Sequence, residues 1–307
     1  MAATWGRRLG FGSSQKRQDV ITAYLCLLPW IIGFLAFIVG PMLFSFRLSF
    51  FESDLLTRNY FVGAENYREL FSEPFFWQSL KVTFIYAFTT VPLGTAVALL
   101  IAVLLNQKVL GLSLWRTIYY LPTVVSGVAV SLLWLMIFNP RAGLVNNFLA
   151  LFGIQGPAWL GSQDWALPAL IIMSVWGVGA NILLYLAGLQ SIPTHLYEAA
   201  TIDGANAPQR FWAVTVPMLS PTIFFNVTIS LIGAFQFFTQ SFVMTKGGPN
   251  NATLSMVLYL YNKAFGQVRF GYASAVAWVL FAIIISFTLL FQYLSKHWVY
   301  YEGEQAH

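Results

Sequence analysis

The sequence predicts an all-α membrane protein that crosses the bilayer six times. Of its 307 residues, 58% are hydrophobic and only 9% are charged, whereas a soluble domain carries about 25% charged residues. Six separate stretches are each long and apolar enough for a helical span, which takes about 20 residues. Outer-membrane barrels show regular alternation of apolar and polar residues, and this alternation is absent, so helices are the spanning element.

The six predicted spans contain no Asp, Glu, Lys or Arg. They cover residues 21–46, 82–106, 117–138, 166–190, 217–244 and 273–295. Pro92, Pro122 and Pro168 lie inside spans, where neighbouring helices can satisfy the carbonyls that a proline leaves free. We therefore expect a single transmembrane domain over residues 21–295. A short N-terminal tail, residues 1–20, precedes it, and a C-terminal tail, residues 296–307, follows it.

Basic residues set the expected orientation. The N-terminal tail carries Arg7, Arg8, Lys16 and Arg17 against one acidic residue, Asp19. Basic segments next to a first span stay in the cytoplasm, and an even number of spans returns the C-terminus to the same side. Both termini are therefore predicted to be cytoplasmic. The net charge of +5 is explained by residues that flank the membrane, and no nucleic-acid partner is expected.

Two segments that are predicted to lie outside the membrane on the extracytoplasmic side have distinctive residue patterns. Residues 51–78 combine acidic and aromatic side chains. Within residues 143–152, Leu144, Phe148 and Leu151 fall on one helical face, which fits a short helix lying at the membrane interface. Such a helix is either a lid over the bundle or a surface that contacts substrate directly, and the sequence leaves both alternatives open.

The segment between the fourth and fifth spans, residues 191–216, is predicted to lie in the cytoplasm as two short helices. Thr194 is a candidate N-cap for the first helix, and Gly204 is a typical residue just after a helix end. Asn206 with Gln209 three residues later fits a capping box that starts the second helix.

This coupling loop, as residues 191–216 are called below, also has the composition of a docking surface. Ala199 and Ala200 let another surface approach the backbone closely. Four apolar side chains accompany them: Leu196, Tyr197, Phe211 and Trp212. Docking of a helix into a groove of a soluble partner explains both features. The alternative is a turn that packs only on its own bundle.

The coupling loop matches a known motif. It supplies Glu198-Ala199-Ala200, then Gly204 after three residues, then Val214-Thr215-Val216-Pro217 after nine more. E-A-A, three residues, G, nine residues, I-x-L-P is the cytoplasmic coupling motif of binding-protein-dependent ABC importer permeases. Valine replaces Ile and Leu here. Matches to the carbohydrate branch continue in order at Asn66-Tyr67, Thr245 to Pro249, Tyr261 to Phe265 and Gly271 to Ala275.

The chain thus resembles the six-span permease subunit of a carbohydrate ABC importer, similar to the MalF or UgpA type. The resemblance implies the ABC type I importer permease fold, in a bacterial inner membrane, with a cytoplasmic coupling helix between spans 4 and 5. It implies a heterodimer with a second permease subunit, two ATP-binding subunits that hold ATP and Mg, an extracytoplasmic solute-binding protein and a carbohydrate substrate. The chain itself would be neither an enzyme nor a cofactor carrier. The implied ATPase-coupling residues are Glu198, Ala199, Ala200, Asp203, Gly204 and Pro217.

The same resemblance implies that the fourth and fifth spans line the solute path. The positions matching sugar-facing ones of the maltose-type subunit are Met173, Trp176, Gly177, Ala180, Ser230 and Ala234. Asn181, Asn226, Gln236 and Gln240 are further polar residues in the spans. Each of these four either faces the path or forms a hydrogen bond with a neighbouring helix.

The residues themselves indicate that the driving energy comes from elsewhere. Carriers coupled to protons usually keep ionisable groups inside their spans, and the predicted spans have none. The GxxxxGK[ST] loop that binds nucleotide phosphates is also absent. Cys26 is the only cysteine and the three histidines are scattered, so no metal site is expected. The remaining alternatives are a stand-alone secondary carrier or facilitator, and a scaffold whose loop only docks a soluble protein.

Overall fold

The computed structural model of the chain describes residues 13–107 and 110–300, with side chains from residue 18 onward. Arg7 and Arg8 lie outside this range, as do the side chains of Lys16 and Arg17, so the orientation stays a prediction. Within the described residues, four helices are long and apolar enough to cross a membrane, and two bent helix pairs bring the number to six. The all-α, six-span class is confirmed.

The first span is one long helix that packs against the rest of the chain only near its C-terminal end, where Phe46 meets Trp278 of the last span. It consists of α1, Ser13–Phe34, a π-helical turn, Leu35–Val39, and α2, Gly40–Leu48. Helix α1 begins inside the predicted N-terminal tail. From residue 18 to residue 47 no side chain is buried, and Leu48 is the first that is. The chain's own core therefore holds this helix only at its α2 end.

A small ordered layer that the sequence did not predict follows the first span. Strand β1, Phe51–Ser53, pairs antiparallel with β2, Asn59–Phe61, and α3, Glu65–Ser72, follows. The Asn66 side-chain amide donates hydrogen bonds to the carbonyls of Ser49 and Phe51, both at 2.9 Å. This amide ties the hairpin to the end of the first span.

The second span is α4, Pro74–Leu105, which begins before the predicted residue 82. The third span is broken: α5, Leu112–Val124, and α6, Gly127–Ile137, meet at 100°. The predicted span 117–138 is thus a helix pair, because Ser126 starts a new helix by accepting a hydrogen bond from the Ala129 N–H at 3.3 Å.

The predicted interface helix is present as α7, Leu144–Ala150. Its apolar positions Leu144, Phe148 and Leu151 are all exposed, as the one-sided pattern indicates. The fourth span is a second broken pair, in which α8, Gln163–Trp176, and α9, Gly179–Ser191, meet at 45°.

The fifth span begins and ends earlier than predicted. Helix α10, Thr194–Ile202, precedes it. One continuous helix from Ala207 to Phe235 then comprises α11, Ala207–Arg210, a π-helical turn, Phe211–Thr215, and α12, Val216–Phe235. The prediction of a span over 217–244 is wrong at both ends, because the Asn206 cap starts the helix and the chain leaves it at Gln236.

The last part of the chain completes the outer layer and the sixth span. A π-helical turn, Ser241–Thr245, leads to α13, Met256–Tyr261, a further π-helical turn, Asn262–Gly266, and α14, Phe270–Ser295. Two ion pairs join this region to α3 and α4: Arg269 donates to both Glu69 carboxylate oxygens at 2.5 and 2.6 Å, and Lys263 Nζ lies 3.2 Å from Glu73 Oε1.

Helix α4 lies at the centre of the bundle, against α8, α9 and α12. Ala98 and Ala102 on α4 are fully buried beside Tyr185 of α9 and Leu219 of α12. Small residues at such contacts let membrane helices approach each other closely. The functional residues therefore lie on helices whose relative positions are fixed by α4.

Candidate functional site

A cavity of about 410 Å³ lies among α4, α8, α9 and α12 and is bounded by residues 236–240. Two helix interruptions form it. Gly177 follows the end of α8, and Gln236 follows the end of α12. The last carbonyls of a helix lack partners within it, and irregular backbone at membrane depth is found where it lines a cavity. The breaks thus place backbone polar groups around one space.

The polar lining of this central cavity is uncharged. It comprises Thr90, Thr95, Ser174, Asn181, Ser230, Gln236, Thr239 and Gln240. Tyr86 and Phe237 add an aromatic wall, with ring centroids stacked 3.9 Å apart. Hydroxyl and amide groups can both donate and accept hydrogen bonds. The cavity can therefore hold a polar, hydroxyl-bearing molecule through several hydrogen bonds.

The structure brings three of the six sequence-derived pathway residues together. Gly177, Ser230 and Ala234 line the central cavity. Met173 is buried in an apolar core cluster, and Trp176 stands edge-on to Trp134 at 6.2 Å.

Ala180 is exposed but lies outside the cavity lining. Of the other polar residues in the spans, Asn181, Gln236 and Gln240 line the cavity, whereas Asn226 is buried next to it on α12.

Sequence reasoning missed the contribution of α4 to the cavity. Tyr86, Thr90 and Gly94 recur every four residues on this helix and face the cavity together. That spacing marks one helical face and is the signal that could have identified them. The coupling motif lies between the fourth and fifth spans, so the resemblance assigned pathway residues only to these two spans.

The second part of the site is the coupling loop, and its capping was predicted correctly at two points. Gly204 has φ +79°, a left-handed conformation, and it follows the end of α10. Asn206 accepts a hydrogen bond from the Gln209 N–H at 3.0 Å, and Gln209 Oε1 accepts one from the Asn206 N–H at 2.7 Å. This capping box starts the fifth span.

Two expectations about the loop are corrected. Thr194 is the first residue of α10 rather than its cap, because Pro193 occupies the cap position and no side chain caps the helix. The second short helix is not separate, because α11 continues through the π-helical turn into α12. The coupling loop is thus one short helix and the first turns of a long one.

The structure separates the apolar residues of the loop into two groups. Leu196 and Tyr197 are half-buried against the chain's own bundle, and the Tyr197 hydroxyl lies 3.0 Å from the Thr215 hydroxyl. Trp212 is 69% exposed, and Ile202, which sequence reasoning did not select, is 85% exposed. The outward face of α10 is therefore formed by Glu198, Ala199 and Ile202.

The loop is held by its own hydrogen bonds. Arg210 Nη1 donates to the Thr201 hydroxyl at 2.7 Å, and that hydroxyl donates to the Tyr197 carbonyl at 2.7 Å. Asp203, one of the residues that the resemblance implies for ATPase coupling, is exposed. The side chain that bridges the first turn of the fifth span to α10 is Arg210.

Within residues 13–107 and 110–300, no three His, Cys, Asp or Glu residues come together in a way that could hold a metal ion. The two notable sites in the described chain are thus the central cavity, which is uncharged, and the exposed coupling loop.

Known proteins are similar to this chain over most of its length. The family described as "Binding-protein-dependent transport system inner membrane component" matches residues 91–300. A probable ABC transporter permease protein, YesP of Bacillus subtilis, is 44% identical over 298 residues, covering 95% of this chain and 96% of the relative. The trehalose/maltose transport system permease protein MalF of Thermococcus litoralis is 34% identical, covering 91% and 95% of the two chains.

A solved structure extends the comparison to the fold. A chain of a bacterial alginate ABC transporter, in complex with a periplasmic protein bound to an alginate pentasaccharide, superposes with a TM-score of 0.80. It is 26% identical and covers 94% of this chain and 97% of its own length. The whole described bundle, rather than one segment, is therefore similar to that transporter chain.

Proposed function

Because this chain belongs to the family of binding-protein-dependent transport system inner membrane components, we propose that it is a membrane-spanning permease subunit of an ATP-driven ABC importer for a carbohydrate. The observation that carries the proposal is the match along nearly the whole chain to permease proteins of such importers. Within the described residues, the chain's own site is a cavity and a docking loop, and its task is translocation rather than catalysis.

A carbohydrate substrate is supported by the names of two relatives and by the central cavity. One relative belongs to a trehalose/maltose transport system and another to an alginate transporter. Sugars present many hydroxyl groups and flat apolar faces. The cavity offers uncharged donors and acceptors and the Tyr86–Phe237 aromatic wall. Gly177, Ser230 and Ala234 are the pathway residues we assign to contact with the solute.

Energy is proposed to come from two separate ATP-binding subunits, which hold ATP and Mg and dock on the coupling loop. Glu198, Ala199 and Ile202 lie on the outward face of α10. The small residues Ala200 and Gly204 allow another protein surface to approach the backbone closely. Asp203 lies beside the turn, and Pro217 stands where the loop's helix enters the bundle. A second, related permease subunit completes the path as a heterodimer, and an extracytoplasmic binding protein delivers the solute. The protein is placed in a bacterial inner membrane with both termini in the cytoplasm.

Reconstitution tests this function against a stand-alone carrier. The chain is co-expressed with candidate subunits whose genes lie next to its own gene, and the proteins that co-purify with it are identified. The assembled complex is then placed in proteoliposomes with trehalose, maltose or an alginate oligosaccharide as probes. We expect uptake of a carbohydrate that requires ATP and the binding protein. Equal uptake by this chain alone without ATP would favour the carrier, and unchanged uptake after deletion of residues 194–204 would favour a scaffold.

A further inference from the structure

Two neighbouring polar side chains are buried in the membrane between α9 and α12. Tyr185 on α9 is fully buried and Asn226 on α12 is 3% exposed. Thr95 on α4 and Asn226 lie close enough to the Tyr185 hydroxyl to interact with it, yet neither that hydroxyl nor the Asn226 side-chain nitrogen forms a hydrogen bond within the described chain. An unpaired buried polar group destabilises the fold, so a ligand that forms hydrogen bonds with these groups would remove that cost.

The cluster of Thr95, Tyr185 and Asn226 lies just beyond the central cavity. Tyr185 follows Asn181 by four residues on α9, and Asn226 precedes Ser230 by four residues on α12. Four helical residues rise about 6 Å, and in both helices the step leads from the cavity toward the coupling loop. Thr95 belongs to the cavity lining as well, so the cluster continues the lining in that direction.

A hydrogen bond joins α9 to α12 on the cavity side of the cluster. The Asn181 side-chain amide donates to the Ser230 hydroxyl at 3.3 Å, which joins α9 to α12. This bond is long for its type and therefore weak. Separation of α9 from α12 would break it and would open the cavity onto Tyr185 and Asn226.

We propose that Thr95, Tyr185 and Asn226 form a second solute-binding station on the coupling-loop side of the central cavity, closed in this structure by the Asn181–Ser230 hydrogen bond. The inference rests on the proposed function, since it concerns the path of the transported carbohydrate. When the bundle opens toward the loop, solute hydroxyls and water satisfy the unpaired hydroxyl and amide. The solute thus moves from one set of uncharged hydrogen-bonding groups to the next.

Thiol accessibility tests this proposal without knowledge of the solute. Cys26 is the only cysteine of the chain, so Cys26→Ser gives a cysteine-free background. Asn226→Cys is introduced for the station, Ser230→Cys for the cavity, and Leu231→Cys as the control. Leu231 lies on the same helix but is buried in another cluster, beside Ala87 and Phe235.

Each variant is assembled with its partner subunits and treated with a charged methanethiosulfonate reagent. Labelling is compared between the nucleotide-free and the ATP–vanadate-trapped complex. We expect the labelling rate of Asn226→Cys to differ at least tenfold between the two states, and Leu231→Cys to stay unreactive in both. If Asn226→Cys does not assemble with the ATP-binding subunits, Tyr185→Cys carries the same comparison.

The outcomes separate the failure of this inference from the failure of the proposed function. A purely structural cluster stays buried, so Asn226→Cys would be unreactive in both states while Ser230→Cys still responds to nucleotide. That result overturns the second station and leaves the importer intact. If no variant responds to nucleotide, the ATP-driven function fails and the station fails with it. Equal labelling of Leu231→Cys would show general loosening of α12 and would also overturn the proposal.

Discussion

At the scale of single residues, substitutions of Gly204 can distinguish an effect on the fold of this subunit from an effect on its contact with a partner. Its φ of +79° lies in the left-handed region, yet a Cβ atom built there meets no atom within 4 Å. The cost of a side chain inside this subunit is therefore limited to backbone strain, about 1–2 kcal/mol. If an ATP-binding subunit docks on this loop as proposed, a larger effect of substitution on transport arises at that interface.

We predict that Gly204→Asp uncouples transport while the protein remains in the membrane at normal levels. Gly204→Asn is the matched control, because asparagine tolerates the left-handed region and adds no charge. Stimulated ATP hydrolysis in the reconstituted complex is the measurement, and the Asn variant should retain several times the activity of the Asp variant. Near-normal stimulation in Gly204→Asp would contradict the assigned role of the loop.

The exposed side chain of Ile202 provides a second test of docking at the coupling loop. An apolar side chain that is 85% exposed contributes little to the subunit's own stability, but it suits the centre of an interface, where a few side chains carry most of the affinity. Ile202→Asp is predicted to weaken binding of the ATP-binding subunit at least about tenfold, roughly 1.4 kcal/mol, with unchanged thermal stability. Leu56→Asp is the control, since Leu56 is 87% exposed on the opposite, hairpin side. Equal losses in both variants would argue against docking at α10.

The residue scale also shows what the motif could not determine. The sequence identified the coupling loop, the Gly204 stop and the Asn206 cap, because each depends on local backbone chemistry. It did not determine which face of α10 turns inward. Leu196 and Tyr197 were predicted to be exposed, but the apolar cluster around Leu189 and Leu219 covers them, and that cluster forms only after distant helices meet.

At the scale of elements, the contact between the broken third and fourth spans depends on one glycine. A Cβ atom on Gly179, the first residue of α9, would come within 2.0 Å of the Tyr119 carbonyl oxygen on α5. We predict that Gly179→Ala destabilises the protein by about 1–3 kcal/mol, because the two helices must move apart. Gly33→Ala is the control, since its Cβ meets nothing within 4 Å and alanine favours a helix. Thermal unfolding in detergent measures both, and equal midpoints would contradict the close contact.

The contact between α3 and the start of α14 is electrostatic. Hydrogen bonds from Arg269 lower the pKa of the Glu69 carboxyl below its ordinary value of 4.5. A lowered carboxyl pKa means that the ion pair stabilises the folded state fully at neutral pH. This contribution is lost as the pH falls below about 4.5 and through the folded-state pKa.

We therefore predict that Glu69→Gln lowers the melting temperature at pH 7 and that the difference from wild type stays constant down to about pH 4.5 and shrinks only below it. Glu65→Gln on the same helix is the control. Its partner Arg68 forms a pair with side chains 59% and 81% exposed, and such pairs contribute little. A difference for Glu69→Gln that is independent of pH would show that the carboxylate charge is not the cause.

The breaks in the helices explain why some span boundaries were predicted accurately and others were not. Hydrophobicity sets the rough position of each span, and the sixth was predicted closely. Ser126 and the Gln236–Gln240 segment interrupt apolar runs without a charge, and a hydropathy window is insensitive to them. The hairpin of residues 51–61 lacks the Asn-Gly or Asp-Gly turn that marks such structures, so it too was missed. The central cavity was only half predicted, since it arises where these unpredicted breaks meet α4.

At the scale of the whole molecule, one helix joins the coupling loop to the central cavity. The helix from Ala207 to Phe235 is continuous, with the loop's capping box at one end and Ser230 of the cavity lining near the other. We therefore expect this helix to carry a displacement of the loop to the cavity. A π-helical turn, Phe211–Thr215, lies between the two ends.

The sparse packing of the first span has a consequence of a different kind. The apolar helix Gln18–Leu48 has 31 residues and a length of about 46 Å at 1.5 Å per residue, whereas the hydrocarbon core is only about 30 Å thick. Since only its C-terminal end packs against the rest of the fold, lipid thickness becomes one of the forces that set its inclination. Short-chain lipids should make this helix lean further, and long-chain lipids should bring it upright.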